Sequence, residues 1–274
     1  MPREAPVPVL RFENVTVAFD DVTALVEVSF EAFEGESRVI TGAAGSGKTT
    51  LLKAALGLIQ PQSGRVYAFG RDLGAMREEE LFDIRSKMGM LFQESALFDS
   101  LTIEENVAYP LLNQKAIHCA PEEVKPRVVE ALDFVELGGT LEKFPSELSG
   151  GMRRRAAIAR AVVTAPPLIL YDSPTAGLDP ITAHTIMALL IKERDTARTT
   201  TLMVTQRYQD GNLMANFRYN SEQGRLEPAR NGARQDLHTV FMVLREGRLV
   251  FEGSQESLEA SRDSYICKFV KPRA

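Results

Sequence analysis

The chain has 274 residues, 44% hydrophobic and 25% charged, enough for one large globular domain or two modest lobes. Its formal net charge of -5 argues against a nucleic-acid binder while leaving room for local basic patches. Cys119 and Cys267 lie far apart with no CxxC spacing, which suits a reduced setting and implies neither a disulfide nor a zinc framework.

The start, MPREAPVPVL, holds three prolines and no apolar core segment, so residues 1–8 are expected as a loose tail and not a signal peptide. Residues 9–33 are rich in Val, Phe and Thr with partial alternation, which predicts an antiparallel strand set. SRVITGAAGSGKTTLLKAALGLI then reads as a strand, a glycine turn and a helix starting near Gly47. GRVYAF at 64–69 predicts another short strand. From about 76 to 165 the pattern is mostly helical. Within it Val124, Val128, Leu132 and Val135 share one helix face, while Pro126 leaves that helix's start open.

PLILYD is an apolar run suited to a strand covered on both faces, TAHTIMALLIKERD predicts a helix, and TTTLMVTQ predicts a second buried strand. The polar stretch from 207 to about 238 is expected as an irregular loop or exposed hairpin. VFMVLREGRLVFEG predicts a hairpin turning at Glu246–Gly247, and SLEASRDSYICKFV a closing helix. Alternating strands and helices imply a mainly parallel α/β core with an inserted helical lobe. The most apolar longer stretch, AAIARAVVTAPPLILY, contains Arg160 and a proline pair and falls short of the roughly 20 residues a membrane span needs. His118, His184 and His238 show no metal-ligand spacing and receive no chemistry.

GAAGSGKT at 42–49 satisfies G-x-x-x-x-G-K-[ST] between a predicted strand and a predicted helix. Small residues let the backbone N–H groups of Ala43, Ala44, Gly45, Ser46, Gly47, Lys48 and Thr49 converge on phosphate oxygens, and the helix terminus adds partial positive charge. Gly42 opens this cradle and Thr50 follows it. Lys48 is placed to neutralise β- and γ-phosphates, and the Thr49 hydroxyl to ligate Mg²⁺. Asp172 closes PLILYD, at the strand end where ligands bind in open α/β sheets; it is either a Mg²⁺ partner or a surface turn residue.

LSGGMRRRAAIARA at 148–161, taken with the phosphate loop and YDSPTAGLDP, resembles the signature of ABC-type ATPases. The resemblance spans nearly everything from Val9 to Val270. It implies an α/β fold with a RecA-like P-loop NTPase core, an antiparallel β subdomain and a helical subdomain over about 94–165, all in one domain from residue 9 to 274. It also implies ATP and Mg²⁺ as cofactors and two chains packed head to tail, each ATP held between one cradle and the other chain's Leu148, Ser149, Gly150, Gly151 and Met152. Ser149, Gly150 and Gly151 precede a helix and so form a second anion-binding terminus. By the same resemblance Phe19 stacks on adenine, with a core strand residue as the alternative. Gln93 reaches Mg²⁺ and water, or is a plain surface glutamine. Asp179 sits in the loop that crosses the dimer interface, and Arg153–Arg155 form a solvated and interface face of the signature helix.

The stretch MLFQESALFDSLTIEENVAYPLL at 90–112 is similar, more narrowly, to the ATPases of Mla-type lipid transport systems. That likeness implies an integral membrane permease contacting about 94–112, with Leu97, Phe98, Leu101, Ile103 and Val107 lining its groove or packing the helical lobe. It further implies a periplasmic lipid-binding protein in the same system and a place on the cytoplasmic face of the inner membrane. A soluble ABC protein acting on ribosomes or DNA, and an ATP-gated regulatory scaffold, are the competing readings.

Two positions depart from the family pattern. Ser173 stands where it places Glu, and Gln206 where it places His; Arg207 follows where Asp is frequent. A serine hydroxyl has essentially no basicity toward water, and losing a positioned base costs about 10²–10⁴ in rate. A glutamine can still orient water and γ-phosphate, as in GTPases. The expectation is tight ATP binding with slow hydrolysis, either in a homodimer or beside a competent paralogous chain.

Overall fold

The computed structural model describes residues 6–20, 22–229 and 238–270. Most of the expected N-terminal tail lies outside the described residues; Pro6, Val7 and Pro8 have no regular structure. The chain forms two compact units. One comprises the residues up to Leu81 together with Thr200–Asn216 and the residues from Ala229; the other comprises Phe82–Thr199 and Phe217–Pro228.

In the first unit, β1 (Leu10–Phe19) and β2 (Val22–Ala32) pair antiparallel and carry Val, Phe and Leu in alternation toward one face. Phe12 and Phe30 face each other across this pair and stack at 4.7 Å. β4 (Ser63–Ala68) and β5 (Arg71–Asp72) extend the sheet in the order β2-β1-β4-β5. A second layer holds β3 (Ser37–Thr41) between β11 (Thr239–Arg245) and β8 (Thr200–Val204), all three parallel. Every residue of β3 and β8 is buried, as expected of a strand covered on both faces. β12 (Arg248–Gly253) folds back antiparallel on β11 through a turn at Glu246–Gly247, both at positive φ. Helix α1 (Lys48–Ala55) follows β3, and α7 (Tyr208–Asn216) packs on β3 and β11. The tail expected as one helix is two, α8 (Gln255–Glu259) and α9 (Ser264–Val270), each with its own polar cap, Ser254 and Asp263.

Helix α2 (Glu78–Arg85) leads into the second unit. There β6 (Met88–Leu91) and β7 (Leu168–Asp172) pair in parallel. β6 interrupts a region read from sequence as helical. MGML is too short to show a strand period, and Gly89 is required because a Cβ there would stand 2.4 Å from the Ala161 carbonyl oxygen. Helices α3 (Ile103–Asn113), α4 (Pro121–Phe134) and α5 (Gly150–Val162) pack on one another. Pro126 sits inside α4 on its exposed side without breaking it. α6 (Pro180–Ala197) packs on α5 and carries the hairpin β9 (Phe217–Asn220)–β10 (Arg225–Pro228). That hairpin is half-buried: Arg194 donates to the Phe217 carbonyl at 2.8 Å, and the Tyr219 N–H donates to Asp195 at 2.8 Å. The polar stretch 207–238 is thus largely ordered as a helix and a docked hairpin, with residues 230–237 outside the described set.

Candidate nucleotide site

The phosphate loop joins β3 to α1 in the first unit, and two of its glycines are required by close approach. A Cβ on Gly42 would stand 2.2 Å from the Leu244 carbonyl oxygen, and one on Gly47 2.2 Å from that of Ala24. Gly47, at φ 100, is the residue from which α1 starts. Gly45, at φ 74, has no heavy atom within 4 Å of where a Cβ would be, so the loop's mouth is open.

Lys48 is buried. Its Nζ donates to the Gly42 carbonyl at 2.9 Å, the Ala43 carbonyl at 2.7 Å and the Ser46 hydroxyl at 3.2 Å. These are oxygen partners that an incoming anion can replace. The Ala43 N–H donates to the Tyr265 hydroxyl at 3.0 Å, a contact invisible in the local sequence. Ala44, Gly45 and Thr49 are exposed and Thr50 is half-buried. An open mouth, a seated ammonium and a hydroxyl on the first turn of a helix fit a triphosphate with Mg²⁺.

Two further expected residues belong to this unit. Phe19 ends β1 and is 48% exposed, so its ring is not part of the core. Gln206 follows β8 and is exposed. Because β8 lies beside β3 in parallel, Gln206 and Gly42 leave neighbouring strands at the same carboxyl edge. The Gln206 turn is held by Thr205, whose hydroxyl donates to Asp210 at 2.7 Å and accepts from the Arg207 N–H at 3.0 Å. Arg207 pairs with the buried Asp210 at 3.8 Å.

The second unit repeats this edge geometry. Gln93 follows β6 and Asp172 ends β7, on adjacent parallel strands. Gln93 is exposed and Asp172 buried. Ser173 takes φ 49, a left-handed conformation, and its hydroxyl donates to Asp172 Oδ1 at 3.1 Å. Arg154 was missed by sequence reasoning, which placed Arg153–Arg155 on a solvated face. It is buried and donates to the Phe92 carbonyl at 2.8 Å, just before Gln93. Burial pulls its guanidinium below the ordinary value, while the charge of Asp172 opposes that. Arg153 and Arg155 also donate to backbone, at Leu148 and Val135, so all three arginines brace the lobe.

The Ser149 hydroxyl caps α5, accepting from the Met152 N–H at 3.2 Å, and the buried Leu148 anchors the turn before it. Gly150 has open space around it, whereas a Cβ on Gly151 would stand 2.7 Å from the Thr182 methyl on α6. Asp179 caps α6, accepting from the Ile181 and Thr182 N–H groups at 3.0 Å each. Hydrogen bonding from Thr182 holds its carboxyl below the ordinary range. Of the expected groove residues, Ile103 and Val107 are fully buried and pack the lobe. Phe98 is exposed, and its ring lies 4.7 Å from that of Tyr109, also exposed.

The profile of the family described as ABC transporter matches residues 25–176, more than half of the chain. The chain belongs to the ABC transporter ATPase family. It is 30% identical to the intermembrane phospholipid transport system ATP-binding protein MlaF of Haemophilus influenzae, over 96% of this chain and 90% of that one. It is 35% identical to the methionine import ATP-binding protein MetN 2 of Rhodococcus jostii, over 87% of this chain and 68% of that one. Among solved structures it is similar to an ATP-binding cassette captured as a dimer in a post-hydrolysis state with ADP and Pi. That likeness has a TM-score of 0.72 and 31% identity, over 89% of this chain and 98% of that one. As a member of this family the chain is an ABC-type ATPase using MgATP, and cassettes of this kind dimerise and serve membrane permeases. No helix among the described residues is long and apolar enough to cross a membrane.

Proposed function

We propose that this ATPase drives a lipid transporter, moving phospholipid through an integral membrane permease to which it binds on the cytoplasmic face of the inner membrane. The reading is carried by the MlaF relative, matched over nearly the full length of both chains. The exposed rings of Phe98 and Tyr109, 4.7 Å apart, supply an apolar surface for the permease. Residue roles follow the family. Residues 42–50 cradle the phosphates, Lys48 neutralises them, Phe19 stacks on adenine, Thr49, Gln93 and Asp172 serve Mg²⁺, and Leu148–Met152 act on the nucleotide of a second chain.

Hydrolysis is slow in this reading, because neither Ser173 nor Gln206 supplies a base near neutral pH. The same two residues favour a second assembly, in which this chain is the degenerate partner of a competent paralogue. The test is gene deletion followed by pulse labelling of phospholipid and of methionine. A shifted distribution of phospholipid between membranes supports the proposal; normal phospholipid with lost methionine uptake overturns it. Purifying the tagged chain with its permease and measuring ATP turnover shows whether a second ATPase chain accompanies it.

A further inference from the structure

The closing helices reach the phosphate loop. Tyr265, on α9, accepts the Ala43 N–H at 3.0 Å and donates its own proton to the Leu244 carbonyl at 2.9 Å. One phenol therefore ties the second residue of GAAGSGKT to the end of β11. The peptide whose N–H the phenol accepts is Gly42–Ala43, and its carbonyl, that of Gly42, accepts Lys48 Nζ at 2.9 Å, as the next carbonyl, that of Ala43, does at 2.7 Å. The Leu244 carbonyl is the atom a Cβ on Gly42 would strike, so loop and strand are in contact there already. The ring is fixed in turn. It meets Phe269 edge-on at 5.0 Å, the Arg245 guanidinium lies 5.3 Å from its centroid, and Asp263 caps the helix through the Tyr265 N–H at 2.7 Å.

The companion helix α8 reaches the other phosphate-side turn. Gln255 donates to the Tyr208 hydroxyl at 2.6 Å and Glu259 bonds the same hydroxyl, two residues beyond Gln206. Residues 255–265 thus hold two of the turns that leave the carboxyl edge of the parallel strands, the one after β3 and the one after β8.

We propose that Tyr265 is a positioning residue for the phosphate loop, through which the C-terminal helices set the affinity for MgATP. The phenol keeps the Gly42–Ala43 peptide in place when Lys48 leaves the Gly42 and Ala43 carbonyls for a phosphate oxygen. Without it the peptide is free to turn, and ordering the loop is charged against binding. A net hydrogen bond of about 0.5–1.5 kcal/mol corresponds to roughly two- to tenfold in affinity.

The test uses the full chain carrying Tyr265→Phe, which keeps the ring packing and removes both hydrogen bonds. Titration with a fluorescent ATP analogue and Mg²⁺ is expected to show a Kd raised about two- to tenfold, in line with that range. Amide exchange in the peptide covering Ala43 is expected to quicken while exchange in β1 and β2 stays as in wild type. Phe269→Leu, which loosens the helix but leaves both phenol bonds, is expected to retain the wild-type Kd. An unchanged Kd and unchanged exchange in Tyr265→Phe overturn the proposal, as does a Phe269→Leu chain that loses affinity equally while exchange at Ala43 stays as in wild type. Should Tyr265→Phe fail to fold, exchange in the wild-type chain decides: a protected Ala43 amide without nucleotide supports the contact, and a freely exchanging one rules it out. A wild-type chain that binds no MgATP would instead undermine the assignment of the nucleotide itself.

Discussion

Ser173 is the residue on which the catalytic question turns. Its hydroxyl donates to Asp172 and has essentially no basicity toward water, so in the proposed roles Asp172 serves the metal while Ser173 supplies no base. Ser173→Glu is therefore expected to raise single-turnover hydrolysis at least about tenfold. The substitution must be made at φ 49, a conformation that costs an L-residue about 1–2 kcal/mol, but Ser173 bears that cost already, so the melting temperature should fall only slightly. An unchanged rate in rapid-quench experiments means that another group supplies the base. Glu193 offers a second residue-level test. It is buried in α6, and burial raises its carboxyl above the ordinary 4.5 while the Thr199 hydroxyl, donating at 3.1 Å, opposes this. A carboxylate raised by folding destabilises the native state as pH climbs through the folded value and is neutral in effect below the unfolded one. Glu193→Gln keeps the acceptor for Thr199 and removes the buried charge. Its melting temperature should exceed wild type at neutral pH and converge on it below 4.5; a gain independent of pH would count against a titrating origin.

Among the elements, α3 shows how a buried polar side chain shapes an exposed surface. Asn106 is fully buried, and its amide donates to the carbonyls of Phe98, Leu101 and Thr102 at 3.0, 3.0 and 2.9 Å while its oxygen accepts the Phe98 N–H at 2.8 Å. A capping box between Thr102 and Glu105 starts the same helix. Asn106→Ala strands those backbone groups and should cost about 1–3 kcal/mol in urea unfolding. If the permease docks at Phe98 as proposed, the change should also weaken co-purification with it, because Phe98 is held in place by these bonds; full retention of the complex would count against that docking. Legibility divides along the same line. The long periodic helices and the fully apolar strands declared themselves, because burial on both faces or along one stripe leaves a pattern in the residues. α7 did not: YQDGNLMAN carries glycine and two asparagines, and tertiary bonds such as Asn216 to Gln255 at 2.7 Å hold it. The phosphate loop was legible since its chemistry is local. Tyr265 was not, because the residue it serves lies 222 positions away.

At the scale of the whole molecule, the family's two-chain arrangement requires one surface to serve the nucleotide of another copy, and Gly150 allows that to be tested without disturbing the fold. It is the first residue of α5, is exposed, and has no heavy atom within 4 Å of a Cβ position. An aspartate there keeps the Ser149 cap and places negative charge at a helix N-terminus, which favours the folded chain. Neither the fold nor the chain's own phosphate loop should therefore suffer, so the Kd for MgATP on dilute protein is expected to stay at the wild-type value. The dimer is another matter. In the proposed role of Leu148–Met152, a carboxylate at Gly150 would meet the γ-phosphate of the opposing chain, and like charges brought together in a desolvated interface repel strongly. If hydrolysis is slow, as proposed, ATP persists long enough for a wild-type dimer to accumulate; otherwise a non-hydrolysable analogue serves in its place. Sedimentation with MgATP should show a dimer for wild type and a monomer for Gly150→Asp at the same concentration. If the variant dimerises as well as wild type, the helix terminus at Gly150 does not face a nucleotide, and the two chains join through some other surface.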